Sequence, residues 1–488
     1  MDNIKSIKIN VAYNKILVYD ENGVPLYATS NVANYDIHPW HTITSIPLEE
    51  TEKKLGIKFP YRIKSNDTHH LRHELFQFAS QNIENILDNT YDTFRKGTIE
   101  EFYSKKESFI YPIVMYNNGL FHKYTTLQLD KLLVEAIHNG YGKLVFIQPT
   151  EGFFGQQNDN FIWIDSLCKK YNLTKESVVI ITSNMIAKEK YNGLVKDGTI
   201  TDSFAIYPYS YFGNSIWFHN GHKLNVHTKQ TMRDVFENCL NSNRNTNKVR
   251  HFLNFNREPK LHRIALFGEF KSNDKLKNTS ITTLGRVNNN NPLEYHMLMR
   301  SFIDNDYMHS KDRVVLFFEN YDSTKHTIYD EPDLENNKAG TFNKKAHTES
   351  FVNIVSESLI DTDSIFFSEK IYKPIFGAQP FILFGNPNSI KMLQSMGFRT
   401  FDKWWDESYD EETQFSKRLE KIVTILEEIS SWSLDECFRI TQEMEEVLVH
   451  NFNHMLSDDD IFNLFKLLAS NTNADINSQI IITNKKLI

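Results

Sequence analysis

The sequence predicts an α/β protein made of two doubly wound halves, with a helical extension behind them. Three observations carry that prediction. Apolar runs of strand length alternate with amphipathic helical segments, the pattern of a mostly parallel sheet covered by helices. The alternation halts at a polar stretch, Asn241–Asn247, and then restarts. From Glu411 to about Leu468 the pattern turns helical.

In chain order, the opening segment reads as short strands, Ile7–Tyr13 and Lys15–Tyr19, followed by a turn at Asp20–Gly23. Leu71–Leu87 has helical spacing of its apolar residues. Then come a strand at Phe109–Tyr116, a helix at Thr126–Ile137, a strand at Lys143–Gln148, a helix at Phe161–Tyr171 and a strand at Ser177–Thr182. After the polar stretch, Val249–Asn254 is a strand and Leu261–Phe270 a helix. Arg313–Phe318, Phe351–Ser356 and Ser364–Phe367 read as strands, and a helix runs through the 370s. Pro380–Phe384 is a strand and Ser389–Met396 a helix. The helical pattern beyond Glu411 breaks near Ser430–Ser433 and at Asp458. The expected domains are 1–245, 246–410 and a helical extension with a tail over 411–488. Sheets of this kind take ligands at the carboxyl ends of their strands. Two such halves facing each other would place the site in the cleft between them.

The 488 residues are ample for two hydrophobic cores. Lys and Arg number 54 against 62 Asp and Glu, a net charge of −8, which argues against a general nucleic-acid binder. With 40% hydrophobic and 13% aromatic residues, the chain is not of the disordered class. Cys168, Cys239 and Cys437 are far apart and form no disulfide framework, so a reducing, cytoplasmic setting is expected. No run approaches the ~18 apolar residues of a membrane helix. The first ten residues, MDNIKSIKIN, lack the apolar core of a signal peptide. No repeat is visible, nor any GxGxxG, Walker A or GxSxG motif. His69, His70 and His73 have no Cys or carboxylate spaced to complete a metal site.

Two segments carry chemistry. In His251–Arg263 an apolar strand runs into a loop holding Arg257, Lys260, His262 and Arg263, with Pro259 suited to a first helical turn. Cations beside free helix N–H groups make an anion site. In Ser364–Pro387 an apolar run stops at Ser368, a good N-cap, and Glu369, Lys370 and Lys373 cluster on the turn that follows. Two lysines at a helix N-terminus oppose the macrodipole, unless an anion is to be held there.

The stretch Ser-Glu-Lys-Ile-Tyr-Lys-Pro-Ile (368–375) with its following Gln-Pro-Phe-Ile-Leu strand resembles the donor-binding motif of GT-B glycosyltransferases of the alpha-1,3-fucosyltransferase-like type. The Asn-Phe-Asn-Arg segment, 254–257, occupies the position of that family's other strand–loop–helix donor motif. The resemblance covers roughly residues 249–410. It implies two Rossmann-like domains facing a cleft and transfer of a sugar from a nucleotide-diphosphate sugar to an acceptor hydroxyl, inverting and without a metal or other cofactor. Carried over, Glu369 would bind the donor ribose. Lys370 and Arg257 would contact the diphosphate, followed by Lys373, Arg263 and Lys260. The sequence departs from the family in its Gln379–Gly385 run and in the block Gly397–Asp410, so the sugar is not inherited.

The catalytic base of such an enzyme is a carboxylate of the N-terminal half, within hydrogen-bond reach of the acceptor. Glu151, on a Gly-bearing loop after the strand Lys143–Gln148, is the first candidate. Glu349 and Glu357 are rivals, Glu357 being more naturally structural or donor-side. Asp361 and Asp363 form a DxD triplet, which leaves a metal-dependent GT-A-like transferase as an alternative. A non-catalytic nucleotide- or glycan-binding module is another. Trp404 and Trp405 would stack on a sugar or pack in a core.

Overall fold

The computed structural model describes residues 5–7, 9–12, 15–19, 25–30, 94–97, 99–114, 126–127, 129–148, 157–210, 229–256, 260–284, 342–360, 364–457 and 480–482. The chain divides into two compact units, Met1–Tyr211 with Asp458–Ile488, and Phe212–Ser457.

The first unit carries β1 (Lys5–Ile7), β2 (Ile9–Ala12), β3 (Lys15–Tyr19), β4 (Pro25–Ser30), β5 (Phe94–Gly97), β6 (Phe109–Val114), β7 (Thr126–Leu127), β8 (Gly142–Gln148), β9 (Val178–Thr182) and β10 (Ala205–Pro208). Its helices are α1 (Ile99–Ser104), α2 (Lys131–His138), α3 (Gln157–Tyr171) and α4 (Ala187–Lys196). Six strands form a parallel sheet in the order β10-β9-β8-β6-β2-β5. All of β9, Val-Val-Ile-Ile-Thr, is buried, as a parallel strand covered on both faces must be. Leu144, Phe146, Val178 and Ile180 pack with Phe161, Ile164 and Leu167 of α3 in one core. Phe146 meets Trp163 edge-on at 6.0 Å, which seats α3 beside β8.

Among the described residues the second unit has four strands, β11 (Arg250–Phe255), β12 (Ser280–Thr283), β13 (Ser350–Ser356) and β14 (Phe381–Phe384). They are parallel, in the order β12-β11-β13-β14. Of these, β11 has β12 on one side and β13 on the other, so strand order reverses between β11 and β13. The crevice beyond their carboxyl ends is the switch point, where open α/β sheets bind ligands. The helices are α5 (Lys229–Asn245), α6 (Leu261–Ser272), α7 (Lys344–Glu349), α8 (Glu369–Phe376), α9 (Ser389–Ser395), α10 (Phe415–Ser430), α11 (Leu434–Glu443) and α12 (Glu445–Met455). The last strand, β15 (Ile480–Ile482), pairs antiparallel with β1.

The α/β class and the two parallel sheets are those the alternation predicts. Several elements differ. The polar stretch Asn241–Asn247 is mostly the end of α5 and not a linker. Its Asn243 is buried, donating to the Ala378 carbonyl and accepting from Lys248 at 2.7 Å. The units divide after Tyr211, against an expected boundary near 245. The expected helix Thr126–Ile137 starts only at Lys131, because the Asp130 side chain caps the N–H groups of Leu132 and Leu133. Ser364–Phe367 is buried but forms no strand. The segments Leu71–Leu87 and Arg313–Phe318 lie outside the described residues.

Helices α10–α12 belong to the second unit. Arg418 donates to the Ile360 carbonyl at 3.1 Å, and His251 to that of Trp432 at 2.9 Å. Phe236 of α5 stacks on Phe452 of α12 with centroids 3.9 Å apart. The break between α10 and α11 falls where expected, with Ser433 capping α11. Among the described residues no helix is long and apolar enough to cross a membrane. All three cysteines are buried and free.

Candidate functional site

Several charged groups of the second unit meet at the switch point. Strand β13 ends at Ser356, and the next two residues, Glu357 and Ser358, turn away buried. The Glu357 carboxylate accepts the Ser368 N–H at 3.1 Å, the Ser368 hydroxyl at 2.5 Å and the Ser358 N–H at 3.2 Å. Burial pushes the Glu357 carboxyl above its usual range, opposed by the Lys370 charge and the Ser368 bonds. This carboxylate therefore fixes the start of α8. The Ser368 hydroxyl accepts in turn from the Lys370 N–H at 3.2 Å, as an N-cap should.

Glu369 and Lys370 stand in the first turn of α8. The Lys370 ammonium donates to Glu369 at 2.8 Å, to the Ser368 hydroxyl at 3.3 Å and to the Ser358 hydroxyl at 3.5 Å. Burial alone would raise the Glu369 carboxyl, but the Lys370 and Lys373 charges overcome it and hold it at about 2. Glu369 is ionised over the whole physiological range.

The partner side of the crevice comes from α6. Lys260 precedes the helix and donates to the Ser358 carbonyl at 2.8 Å. Two ammonium groups, those of Lys260 and Lys370, thus converge on one residue at the end of β13. His262 is buried and donates Nε2–H to the Glu357 carbonyl at 2.7 Å. Burial first, then the Arg263 charge, drives its pKa well below the ordinary value, so the ring is neutral. Arg263 is also buried and donates to the carbonyls of Ser356 and Glu357 at 3.2 and 3.1 Å. Among the described residues, the cluster holds four cations, Lys260, Arg263, Lys370 and Lys373, and two carboxyl groups, Glu357 and Glu369. Positive charge at a helix start favours an anion.

A neutral ladder lines the floor. Asn254 donates to the Ile354 carbonyl at 2.7 Å and to the Ser356 hydroxyl at 3.3 Å, and accepts from Asn256 at 2.7 Å. Gly385, after β14, is tight: a Cβ there would lie 2.9 Å from the Ser389 hydroxyl.

The structure brings Lys260, Arg263, Glu369 and Lys370 to one edge, with Lys373 close enough to act on Glu369. Arg257, Glu151 and the pair Asp361 and Asp363 lie outside the described residues, as do His69, His70 and His73. Glu349 is corrected as a rival base: it ends α7 and precedes β13, at the opposite edge of the sheet from the crevice. Trp405 is buried with Phe401 at 5.3 Å and packs in the core, and Trp404 meets Phe401 at 6.2 Å. Sequence reasoning missed the role of Ser358 and the Asn254–Asn256 ladder. The burial of His262 and Arg263 depends on the sheet edge they cap, which no local pattern announces.

No protein-family model matches the chain, and no curated protein does. Among solved structures, alpha,alpha-trehalose 6-phosphate synthase from Burkholderia multivorans is similar at 10% identity and TM-score 0.36, over 93% of this chain and 87% of that one. A second trehalose-6-phosphate synthase is similar at 11% identity and TM-score 0.36, over 93% and 88%. A glycosyltransferase from Rickettsia africae is similar at 10% identity and TM-score 0.32, over 88% and 89%.

Proposed function

We propose that the chain is a glycosyltransferase of GT-B architecture, in the alpha-1,3-fucosyltransferase-like manner, acting in the cytoplasm. It moves a sugar from a nucleotide-diphosphate sugar to an acceptor hydroxyl, with inversion and without a metal. The observation that carries the reading is the convergence of the Lys260 and Lys370 ammonium groups on Ser358, beside the start of α8. Glu369 offsets the Lys370 charge in part, and a diphosphate would offset the rest of the positive charge gathered there. Glu369 would accept from the donor ribose hydroxyls, and Arg257, Lys370 and Lys373 would contact the diphosphate. Lys260 and Arg263 act chiefly by holding the backbone of 356–358 in place.

In this reaction the acceptor oxygen bonds the anomeric carbon of the donor as its proton passes to a carboxylate, for which Glu151 is proposed. The bond from that carbon to the diphosphate oxygen breaks, and its electron pair leaves with the nucleoside diphosphate. The lysines and Arg257 meet the charge that builds on the leaving group. The first unit would take the acceptor.

A thermal-shift screen against UDP-, GDP- and dTDP-sugars, with a CMP-sugar as the monophosphate control, tests the reading. A donor at 100 times its Kd stabilises by ~2.7 kcal/mol. No shift with any diphosphate donor would overturn it. Turnover abolished by a chelator would favour the Asp361 and Asp363 alternative, and donor binding with no transfer or hydrolysis would favour a binding module. Glu151→Gln should keep donor binding and lose transfer.

A further inference from the structure

Among the described residues of the first unit, two buried amides lack hydrogen-bond partners for some or all of their side-chain atoms. Asn160 is 1% exposed, and neither its side-chain oxygen nor its nitrogen has a hydrogen-bond partner. Gln148 is likewise 1% exposed; its oxygen accepts from the Thr182 hydroxyl at 2.7 Å, but its Nε2 has no partner. A buried amide left unmet is costly to the fold. Native interiors leave few such atoms, and each asks for an explanation.

Their placement supplies one. Gln148 is the last residue of β8, and Asn160 lies in the first turn of α3, the next described element. A helix that follows a parallel strand begins at that strand's carboxyl end. Both amides therefore belong to the edge of the sheet where such folds take ligands. The same edge is knitted by neutral groups: the Ser183 N–H donates to the Gln148 carbonyl at 3.1 Å, and the Asn184 N–H to the Thr182 hydroxyl at 3.2 Å. Among the described residues, the buried polar ones there are Gln148, Asn160, Thr182, Ser183 and Asn184, all uncharged. The contrast with the second unit is chemical. Its edge gathers lysines, arginine and carboxylates and suits an anion. This one offers amides that donate and accept at once, which hydroxyl groups match.

We infer that Asn160 and Gln148 form a recognition position for an uncharged, hydroxyl-bearing sugar. This rests on the transferase reading for its name, the acceptor, though not for its chemistry. Asn160 gives both a donor and an acceptor to the ring hydroxyls, and Gln148 gives a donor.

Saturation-transfer NMR with lactose, maltose and N-acetylglucosamine tests the site without requiring turnover. Wild-type protein should give signals from at least one sugar, and Asn160→Leu and Gln148→Leu should lose them. Both variants should keep the nucleotide-sugar thermal shift. Asn160→Leu should also melt higher, by ~2–4 °C, because an unmet amide has been removed. The isosteric Asn160→Asp, which keeps the shape and removes both donors, should weaken sugar binding about tenfold even if the leucine variant folds poorly. No sugar signal from the wild type, or signals unchanged in Asn160→Leu and Asn160→Asp, would overturn the inference and leave an internal water as the partner of Asn160. Failure of the donor screen with sugar binding intact would sink the transferase reading alone.

Discussion

At Lys370 a cation stands in the first turn of α8. Its ammonium is shared among Glu369, Ser368 and Ser358, so the crevice is internally neutralised in part. A charge-assisted bond to phosphate is worth about 1.5–3 kcal/mol. Lys370→Ala should therefore weaken nucleoside-diphosphate binding by roughly 10- to 150-fold in calorimetric titration. Because Glu369 is held at about 2, its own titration should leave donor affinity flat between pH 5 and 8. Glu357 plays a different part. Its carboxylate accepts from three donors of Ser368 and Ser358, and replacing it by an amide would turn N–H groups toward some of them. Glu357→Gln should destabilise the second unit by about 1–3 kcal/mol in urea unfolding. The sequence announced Ser368, Glu369 and Lys370, because capping and charge placement are local. It did not announce Glu357 as their support, eleven residues upstream of Ser368, since only the return of the chain past β13 brings the two together.

Among the elements, strands with buried faces were the most legible. β8, β9, β11, β13 and β14 each fall within a residue or so of the expected ranges, because a doubly covered parallel strand carries a run of apolar residues. The same rule misread Ser364–Phe367. That segment is apolar and buried, but it leads into α8 and pairs with no strand among those described. Polarity misled at Asn241–Asn247, where Asn243 is polar because it ties α5 to the Ala378 carbonyl. Helix α9 shows a cap that spacing could not reveal. Asn388 makes no side-chain capping bond; instead Asp410, about twenty residues on, accepts from Ile390 and Lys391 at 2.9 and 3.1 Å. This gives the unassigned block Gly397–Asp410 a structural duty. Asp410→Ala should cost about 1–2 kcal/mol, measured by chemical denaturation, with donor binding retained.

For the whole molecule, the buried Lys248 sets a pH signature. Burial lowers it from the ordinary lysine value to about 7, while its ammonium is held by Asn243 and the Thr348 carbonyl. Below pH 7 both folded and unfolded chains carry the proton, and the burial penalty is fully felt. Between about 7 and 10.5 only the unfolded chain keeps it, so stability rises with pH across that window. Lys248→Met should reduce that rise in melting temperatures taken from pH 7 to 10, leaving the part due to Lys143, which burial lowers to about 8. The two-unit plan itself was legible as alternation followed by restart, but the division was not. The passage between units falls after Tyr211, and the chain returns to the first unit after Ser457.

That return has a consequence in time. The pairing of β1 with β15 joins Lys5 to Ile482, nearly the whole chain apart. At ~5–20 residues per second, a ribosome needs roughly half a minute to a minute and a half to deliver the partner strand. The second unit, by contrast, is one continuous stretch and can close as it emerges. During synthesis β1 therefore lacks this pairing until β15 is made. Contacts of such sequence separation form slowly even in the complete chain. Refolding should therefore show the second unit's tertiary signals ahead of the first's.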